Sequence, residues 1–382
     1  ATTRLHPEVI NAMLPYMGKR YANPSGAYTF SADVKNDINN AEAFLAQTIQ
    51  AKPQEIYITS GGTESDNWAV KIAAEEHRRG HIITTAMEHH AILKSCEAVE
   101  KEGFYVTYIR PAENGIVRLT DIQRAVRPDT FLISVMAANN EIGTIQPVAQ
   151  IGAFARRHRI LFHTDAVQAY TNMDIDVNAM QIDMLSTSAH KLNGPKGIGF
   201  LYIREKVKVK PIIYGGGQQK GMRSGTENVP GIIGFGAAAR AALRHLEEDA
   251  GRLSRMRDSF ESLLRTQVGG VTVHSGGTER IPNTSNLAFD GCTAEALILL
   301  LEPAGLLCSA GSACHTLQPM PSHVLTAMGL SDEAVRSSLR FSLSFMTTQE
   351  EVEQAAALVG SAVRKVRCVQ SSRTGPVLVY RP

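Results

Sequence analysis

The chain has 382 residues, of which 43% are hydrophobic and 20% charged, a composition typical of a globular enzyme rather than a disordered or membrane-embedded protein. Its formal net charge of +2 gives no reason to expect nucleic acid or a membrane surface as a partner, and no apolar run has membrane-spanning length. Five scattered cysteines without a CxxC pair argue against a disulfide scaffold and a zinc site, so we expect a cytoplasmic protein without a metal. Because the sequence opens on Ala1 without an initiator Met, we also expect residues upstream of it.

Strand and helix patterns alternate through the first part of the chain. An amphipathic helix is predicted over residues 33–50, where apolar side chains recur at helical spacing. Apolar runs typical of strands follow at 55–59, 81–85, 105–109, 131–137, 160–164 and 182–187. Helical patterns lie between them at 64–79, 91–102, 120–126 and 148–159. The alternation predicts an α/β fold with a mainly parallel sheet, which residues 198–203 extend by a seventh, antiparallel strand.

A second, smaller α+β domain is predicted toward the C terminus, because the chain is longer than one core usually holds. Long helices over 229–267 lead into short strands at 271–274, 285–289 and 339–343 and helices at 294–301 and 349–366. We therefore expect a large domain over 15–245 and a small domain made of 1–14 and 246–382.

Polar residues follow five of the predicted strands. They are the segments 60–65, 88–90, 139–143, 165–168 and 188–191. In a parallel sheet, ligands bind beyond the carboxyl ends of the strands, so these segments are expected to converge on one pocket.

Lys191 ends the last of these segments. A desolvated lysine is a good carbonyl-capturing amine, which predicts a Schiff base with an aldehyde cofactor. The alternative is an ordinary surface lysine after a strand. Polar groups at five strand ends favour the first interpretation.

Two features suit a cofactor phosphate. Residues 60–63, Ser-Gly-Gly-Thr, precede a predicted helix and resemble an anion cradle, although a simple N-cap by Thr63 is the alternative. Ser188 and His190 flank the lysine and offer further phosphate contacts.

Three residues suit a cofactor ring. Asp165 can pair with a protonated pyridine nitrogen, with Gln168 three residues later; the alternative is a loop N-cap. His89 can lie on the ring, and its alternative is a structural contact.

Cys314 and Arg340 suit a substrate. Cys314 lies in a small-residue loop that gives a thiolate access, whereas Cys308 continues an apolar run and is predicted to be buried and inert. Arg340 interrupts a strand-like run, where its guanidinium would bind a substrate carboxylate or, alternatively, form a structural ion pair.

Taken together, the motifs resemble those of the cysteine desulfurases, which are class V aminotransferase-like enzymes of PLP (pyridoxal 5'-phosphate) fold type I. The resemblance runs from Ala1 to about Val366 and rests on SGGTESDN, EHHAIL, NNEIG, DAVQ, SAHKLNGPKGIG, GMRSGTENVPGI, SAGSACHT and RFSL.

The resemblance implies a role for each matching residue. Lys191 holds the cofactor as a Schiff base, His89 stacks on the ring, Asp165 pairs with the pyridine nitrogen and Gln168 bonds the ring oxygen. The phosphate is held by Gly62, Thr63, Ser188 and His190, and by Thr226 from the other subunit of a homodimer. Asn140 and Arg340 hold the substrate, and Asn140 also lies at the cofactor. Cys314, on a mobile loop of about 306–321, is the nucleophile that becomes a persulfide.

The implied reaction converts L-cysteine to L-alanine and passes sulfur to an acceptor protein for iron–sulfur clusters or other thio-cofactors. Two alternatives stay open. One is a selenocysteine lyase or specialised carbon–sulfur lyase of the same family, and the other is a non-enzymatic sulfur-relay platform.

Overall fold

The structure is a computed structural model and describes residues 1–248, 251–311 and 321–371. It divides into two compact units. The first consists of Ala1–Ala112, Ile116–Asn139 and Ile145–Ala250, and the second of Glu113–Gly115, Asn140–Thr144 and Gly251–Pro382.

The first unit is built on a seven-stranded sheet. Its strands are β1 Ile56–Thr59, β2 His81–Thr85, β3 Tyr105–Ile109, β4 Thr130–Ser134, β5 Leu161–Asp165, β6 Met184–Ser186 and β7 Gly199–Ile203. Their order across the sheet is β1-β7-β6-β5-β4-β2-β3, and β7 runs antiparallel to both of its neighbours. The predicted mainly parallel sheet with an antiparallel seventh strand is confirmed.

Helices cover this sheet, as parallel strands require for their crossover connections. They are α1 Pro7–Met17, α2 Thr29–Gln47, α3 Gly62–Glu75, α4 His90–Lys101, α5 Leu119–Ala125, α6 Val148–His158 and α7 Val229–Glu248. The strands β2, β6 and β7 are buried along their whole length. One apolar core lies around Trp68 of α3 and includes Ile82, Leu132 and Leu201 of the sheet.

The N-terminal residues belong to the first unit, whereas the sequence predicted residues 1–14 in the smaller domain. The Thr3 N–H donates to the His190 carbonyl at 3.0 Å, and the His6 N–H donates to Asn193 O at 3.0 Å. Helix α1 packs against α7. These contacts are far apart in sequence, so local patterns did not indicate them.

The second unit has its own sheet and core. Its strands are β8 Val271–Val273, β9 Thr284–Phe289 and β10 Ser338–Ser342, paired antiparallel in the order β10-β9-β8. Its helices are α8 Arg252–Gln267, α9 Ala294–Leu301, α10 His323–Ala327, α11 Asp332–Arg336 and α12 Gln349–Ser371. Phe260, Leu287, Phe289 and Val359 are among the buried side chains that fill the space between sheet and helices.

Three helices were not predicted, namely α1, α10 and α11. The helices α10 and α11 have 5 residues each, too few for an apolar period, and depend on the caps of Ser322 and Ser331. Among the described residues, no helix is both long and apolar enough to cross a membrane. The same residues contain no cluster of three or more His, Cys, Asp or Glu arranged to hold a metal ion.

Candidate active site

Lys191 closes a 3₁₀ turn, Ala189–Lys191, that follows the buried strand β6. Main-chain hydrogen bonds hold the turn; among them, Ala189 N–H donates to Ile198 O at 3.1 Å, and Gly194 N–H donates to Ala189 O at 3.0 Å. Burial is the largest influence on the pKa values of Asp165 and His190, and the charge of Lys191 contributes to both. The half-buried lysine therefore lies within electrostatic range of both groups.

Asp165 is the last residue of β5 and is only 4% exposed. Burial raises the pKa of its carboxyl to about 6, although the Val167 N–H bond and the charge of Lys191 both lower it. Oδ1 accepts the Val167 N–H at 2.8 Å, so the predicted loop cap is present as well. A cationic ring nitrogen at this carboxylate would favour its ionised form. Gln168 is buried in the turn that follows.

The loops after β1, β5 and β6 meet at the first turn of α3. A Cβ placed on Gly62 would lie 2.6 Å from Val167 Cγ2, and one on Gly61 would lie 3.5 Å from Ser188 Oγ. Gly61 also has a φ of +141°, which other residues rarely adopt. The close approach of three loops thus requires glycine and brings the Ser188 hydroxyl to the start of the helix.

Helix α3 offers main-chain donors at this point. It begins at Gly62 with Gly61 as its N-cap, and no side chain of the described residues caps it. The alternative of an N-cap by Thr63 is therefore wrong, because Thr63 lies inside the first turn. Uncapped N–H groups and the helix dipole favour an anion here.

His89 is held in place by its own helix, and the preceding residue, Glu88, is held by two hydrogen bonds of its own. As the N-cap of α4, His89 accepts the Ala91 N–H at Nδ1 over 3.1 Å, which is the structural contact considered as an alternative. This bond fixes the ring without occupying its faces. The Glu88 Oε1 accepts the Thr85 hydroxyl at 2.8 Å and the Met136 N–H at 2.9 Å, and Glu88 is fully buried.

Replacement of Glu88 by glutamine is expected to remove a pH-dependent loss of stability. Burial raises the pKa of Glu88 to about 8 from 4.5, so the folded protein binds a proton that the unfolded chain releases. Wild-type stability therefore falls as the pH rises through this window, and the neutral glutamine does not titrate. Chemical unfolding should show the stability of Glu88→Gln relative to wild type increasing by on the order of 3 kcal/mol from pH about 5 to about 9.

The control is Glu102→Gln, which changes an exposed carboxylate at the end of the same helix α4. It should leave the pH profile of unfolding as in wild type. A parallel profile for Glu88→Gln and wild type would contradict a buried, protonated Glu88.

His190 is half-buried beside the lysine, and its Nδ1 is hydrogen-bonded to Thr2 Oγ1 at 3.0 Å. Burial, assisted by the charge of Lys191, lowers the pKa of the imidazole to about 4. At neutral pH His190 therefore acts as a neutral hydrogen-bonding group rather than as a cation.

A buried polar network lies beneath Asp165, and the sequence interpretation missed it. The His163 ring is hydrogen-bonded to Ser134 Oγ at 2.9 Å and to Ser186 Oγ at 3.0 Å, and its Nε2 lies 3.9 Å from Asp66 Oδ1. Burial raises the pKa of Asp66 well above its usual value, and the nearby Asp165 raises it further. Two signals were available: His163 lies two residues before Asp165 on the same strand face, and Asp66 interrupts the apolar face of α3.

Asn140 and Arg340 lie together in the second unit. Arg340 is the central residue of β10, is 6% exposed, and donates from Nη1 to the Asn140 carbonyl at 3.1 Å. Its main chain exchanges hydrogen bonds with Ser309, at 2.7 and 3.2 Å. The residue predicted to bind a carboxylate is therefore fixed to the segment that precedes Cys314.

Cys314 lies outside the described residues, which resume at residue 321. The residues on either side of that gap lie close together. A Cβ on Gly311 would be 3.7 Å from Ser322 Cβ, and the Ser322 hydroxyl donates to Glu141 Oε2 at 2.5 Å. Both ends of the segment that contains Cys314 are thus anchored in the second unit beside Asn140 and Arg340.

Thr226 is exposed on the first unit, in the loop between Arg223 and the start of α7. None of the contacts described above for the cofactor residues involves its side chain. The resemblance implies that Thr226 contacts the phosphate in the other subunit of a homodimer.

The residues of the first unit fit PLP. A half-buried amine within electrostatic range of a buried carboxylate suits the aldehyde and the ring nitrogen, and the glycine turn at an uncapped helix start suits the phosphate. The required close approach of Gly62 to Val167 and of Gly61 to Ser188 keeps these groups in one place.

Comparison with known proteins assigns the family. The profile of the family described as Aminotransferase class-V matches residues 1–355. The cysteine desulfurase IscS of Methanosarcina thermophila is 46% identical over 370 residues, which cover 96% of this chain and 91% of that protein. The cysteine desulfurase IscS of Clostridium botulinum (strain Hall) is 43% identical over 371 residues, with coverages of 96% and 94%.

Solved structures agree. A NifS-like protein superposes with a TM-score of 0.89 at 35% identity, covering 95% of this chain and 97% of its own. The protein SspA, solved in complex with cysteine, superposes with a TM-score of 0.78 at 36% identity, covering 91% and 98%. The chain therefore belongs to the cysteine desulfurases of the class V aminotransferase family, which are PLP-dependent enzymes of fold type I.

Proposed function

We propose that this protein is an L-cysteine desulfurase, which transfers the sulfur of L-cysteine to the Cys314 thiol and releases L-alanine. The observation that carries the proposal is that Lys191 lies within electrostatic range of the buried Asp165, in the same unit as the glycine turn at α3. Curated relatives over nearly the whole chain have the name cysteine desulfurase, and SspA was solved with cysteine.

The residues of the first unit hold PLP. Gly62 and Thr63 offer N–H groups to the phosphate at the uncapped start of α3, and the Ser188 hydroxyl and the neutral His190 assist them. When bound, PLP is an electron sink for bonds at the substrate's α- and β-carbons. Asp165 keeps the ring nitrogen protonated, Gln168 bonds the ring oxygen, and His89 covers one face.

Lys191 has two tasks in this assignment. Its amine would hold PLP covalently, and the same amine would carry protons at the substrate carbons. A lysine within range of Asp165 and His190 and half removed from water is suited to both tasks.

Arg340 and Asn140 bind the substrate. A guanidinium binds a carboxylate through two parallel hydrogen bonds, and the strand β10 fixes its direction. The bond from Arg340 to the Asn140 carbonyl holds the two residues together.

Cys314 receives the sulfur. Its thiolate attacks the substrate sulfur, an S–S bond forms, and the C–S bond breaks with its electron pair moving to the β-carbon. The products are L-alanine and a Cys314 persulfide, so no external oxidant is needed. An acceptor protein for iron–sulfur clusters or other thio-cofactors then takes the outer sulfur. A reducing cytoplasm suits a reaction that requires free thiols.

We further propose a homodimer in which Thr226 contacts the phosphate of the other subunit. An exposed apolar surface in the first unit supports it. Ile10, Leu14 and Met17 lie on one face of α1 and are exposed. Tyr21, Tyr28 and Phe30, which follow α1 in the sequence, are exposed as well, and the rings of Tyr21 and Phe30 are in contact. Exposed apolar patches of this kind mark association sites.

The proposal is tested by incubating the PLP-loaded protein with L-cysteine and a thiol reductant. Alanine and sulfide should form in equal amounts. L-Selenocysteine and S-methylcysteine are supplied in parallel. Alanine from selenocysteine alone, or cleavage of S-methylcysteine alone, would reject the desulfurase in favour of a selenocysteine lyase or a carbon–sulfur lyase.

Replacement of Arg340 by lysine is expected to raise the KM for L-cysteine by roughly tenfold, with a smaller change in kcat. Lysine keeps the charge but loses the two-bond contact with the carboxylate. Steady-state alanine formation measures both constants. The control is Arg336→Lys, an exposed arginine in the adjacent helix α11, which should behave as wild type. An unchanged KM in Arg340→Lys would favour the structural ion pair instead.

A further inference from the structure

An arginine–glutamate pair joins two segments of the first unit at the phosphate site. Arg223 donates from Nε to Glu64 Oε1 at 2.8 Å and from Nη2 to Glu64 Oε2 at 3.1 Å. Glu64 Oε2 also accepts the Ser60 N–H at 2.8 Å. The side chains are 25% and 14% exposed, so the pair is shielded from much of the solvent.

Glu64 lies in the first turn of α3, beside the residues assigned to the phosphate. A carboxylate there would repel a phosphate unless its charge were neutralised. Burial acts to raise the pKa of Glu64, but the bonds from Arg223 and Ser60 outweigh it and leave the pKa lowered. Glu64 is therefore ionised at neutral pH, and Arg223 neutralises it.

Arg223 also fixes the loop that carries Thr226. Thr226 lies three positions after Arg223, and the loop around it is held at further points. The Gly225 N–H donates to Gln218 Oε1 at 2.9 Å, and Lys35 Nζ donates to Glu227 Oε1 at 2.8 Å. Thr226 is thus exposed between Arg223 and Glu227, each of which forms an ion pair within the same chain.

We propose that the Arg223–Glu64 pair positions Thr226 for the partner subunit. The first turn of α3 then has two roles: it binds PLP in its own subunit, and through Arg223 it fixes the Thr226 that contacts the phosphate in the other subunit. This inference rests on the homodimer of the proposed function. Arg223 is a positioning residue, because its contacts are to Glu64 rather than to cofactor or substrate.

Mixed dimers test the inference, because they separate effects within a chain from effects across the dimer. One chain carries Lys191→Ala and the other keeps Lys191, so borohydride reduction labels only the second chain with PLP. The measured quantity is the rate at which the amount of PLP that borohydride fixes to Lys191 falls after the dimer is diluted. Arg223→Gln is placed either in the Lys191→Ala chain, opposite the labelled site, or in the labelled chain itself.

We expect Arg223→Gln to accelerate the loss by about tenfold when it lies opposite the labelled site. In the labelled chain it leaves Glu64 without its counter-charge beside that chain's own phosphate, so the loss is accelerated there too, and the effect across the dimer is the one that reports on the positioning of Thr226. Arg223→Lys, which keeps one ionic contact, should restore part of the retention. The control is Arg244→Gln, since Arg244 makes a similar two-bond contact with Glu8, at 2.8 and 2.7 Å, elsewhere on the unit. It should not change PLP loss.

Thr226→Ala serves as the reference variant. If it accelerates the loss across the dimer and Arg223→Gln does not, or acts only within its own chain, the positioning role is rejected while the proposed function stands. If Thr226→Ala itself has no effect across the dimer, the donated threonine of the proposed function is rejected, and the inference with it.

Discussion

Replacement of Lys191 by alanine is expected to abolish lysine-bound PLP and to lower the rate of alanine formation by on the order of 10³-fold. In the proposed function, the Lys191 amine is both the attachment point of PLP and the group that moves protons at the substrate carbons. The phosphate contacts proposed for Gly62 and Ser188 do not involve Lys191, so PLP should still bind, but without a covalent bond. Absorbance near the visible edge and mass spectrometry after borohydride reduction measure the loss.

The matched control is Lys196→Ala, an exposed lysine in the same segment, five residues further along the chain. It should keep both the absorbance and the rate of wild type. A borohydride label on another lysine, or substantial alanine formation by Lys191→Ala, would place the attachment elsewhere and remove the central residue of the proposed site.

Much of the first unit was predictable because its strands are short, mostly buried and bounded by polar residues. The predicted range 81–85 coincides with β2, which is buried along its whole length, and 105–109 coincides with the partly exposed β3. In the second unit, 294–301 coincides with α9. A fully buried parallel strand is an almost continuous apolar run, so its ends are visible in the sequence. Since the carboxyl ends of parallel strands share one edge, the same runs also placed Asp165, Ser188 and Lys191 near one another.

Contacts between distant segments were not predictable in the same way. Glu64 and Arg223 are separated by 159 positions, and each alone is typical of an exposed surface. The α1 contacts, the His163 network and the division after Asn139, which places Asn140 in the second unit, depend likewise on tertiary packing. Periodicity reports only which face of an element is buried, not which element covers it.

The site residues were predicted from several motifs that occur together in the sequence, because each motif alone had a structural alternative. The start of α3 was ambiguous between an anion cradle and a cap by Thr63, and only the helix boundary at Gly62 distinguished them. Asp165 and His89 each make the structural contact considered as the alternative, since their side chains accept the main-chain N–H of Val167 and of Ala91 respectively. A capping bond uses one atom of a side chain, so it does not preclude a second role for the remaining atoms.

Replacement of Cys314 by serine is expected to separate PLP chemistry from sulfur transfer. The variant should keep the lysine-bound absorbance of wild type, since Lys191, Asp165 and the glycine turn at α3, which are proposed to hold PLP, are unchanged in it. Alanine formation should fall by about 10²-fold or more, because a hydroxyl does not accept the substrate sulfur. Mass spectrometry after exposure to L-cysteine should find an added sulfur atom on Cys314 of wild type and none on the variant.

Cys308 provides the matched control, because it lies in the same part of the chain and is half-buried. Burial raises the pKa of its thiol to about 11, so it stays protonated at neutral pH and is a poor nucleophile. Cys308→Ser should therefore form alanine and the Cys314 persulfide at wild-type rates. If Cys308→Ser lost the persulfide while Cys314→Ser retained it, the nucleophile would have to be reassigned. Ser309 is bonded to Arg340 and Ser322 to Glu141, so described residues on both sides of Cys314 in the sequence are tied to Arg340, which is proposed to bind the substrate, or to the neighbour of Asn140.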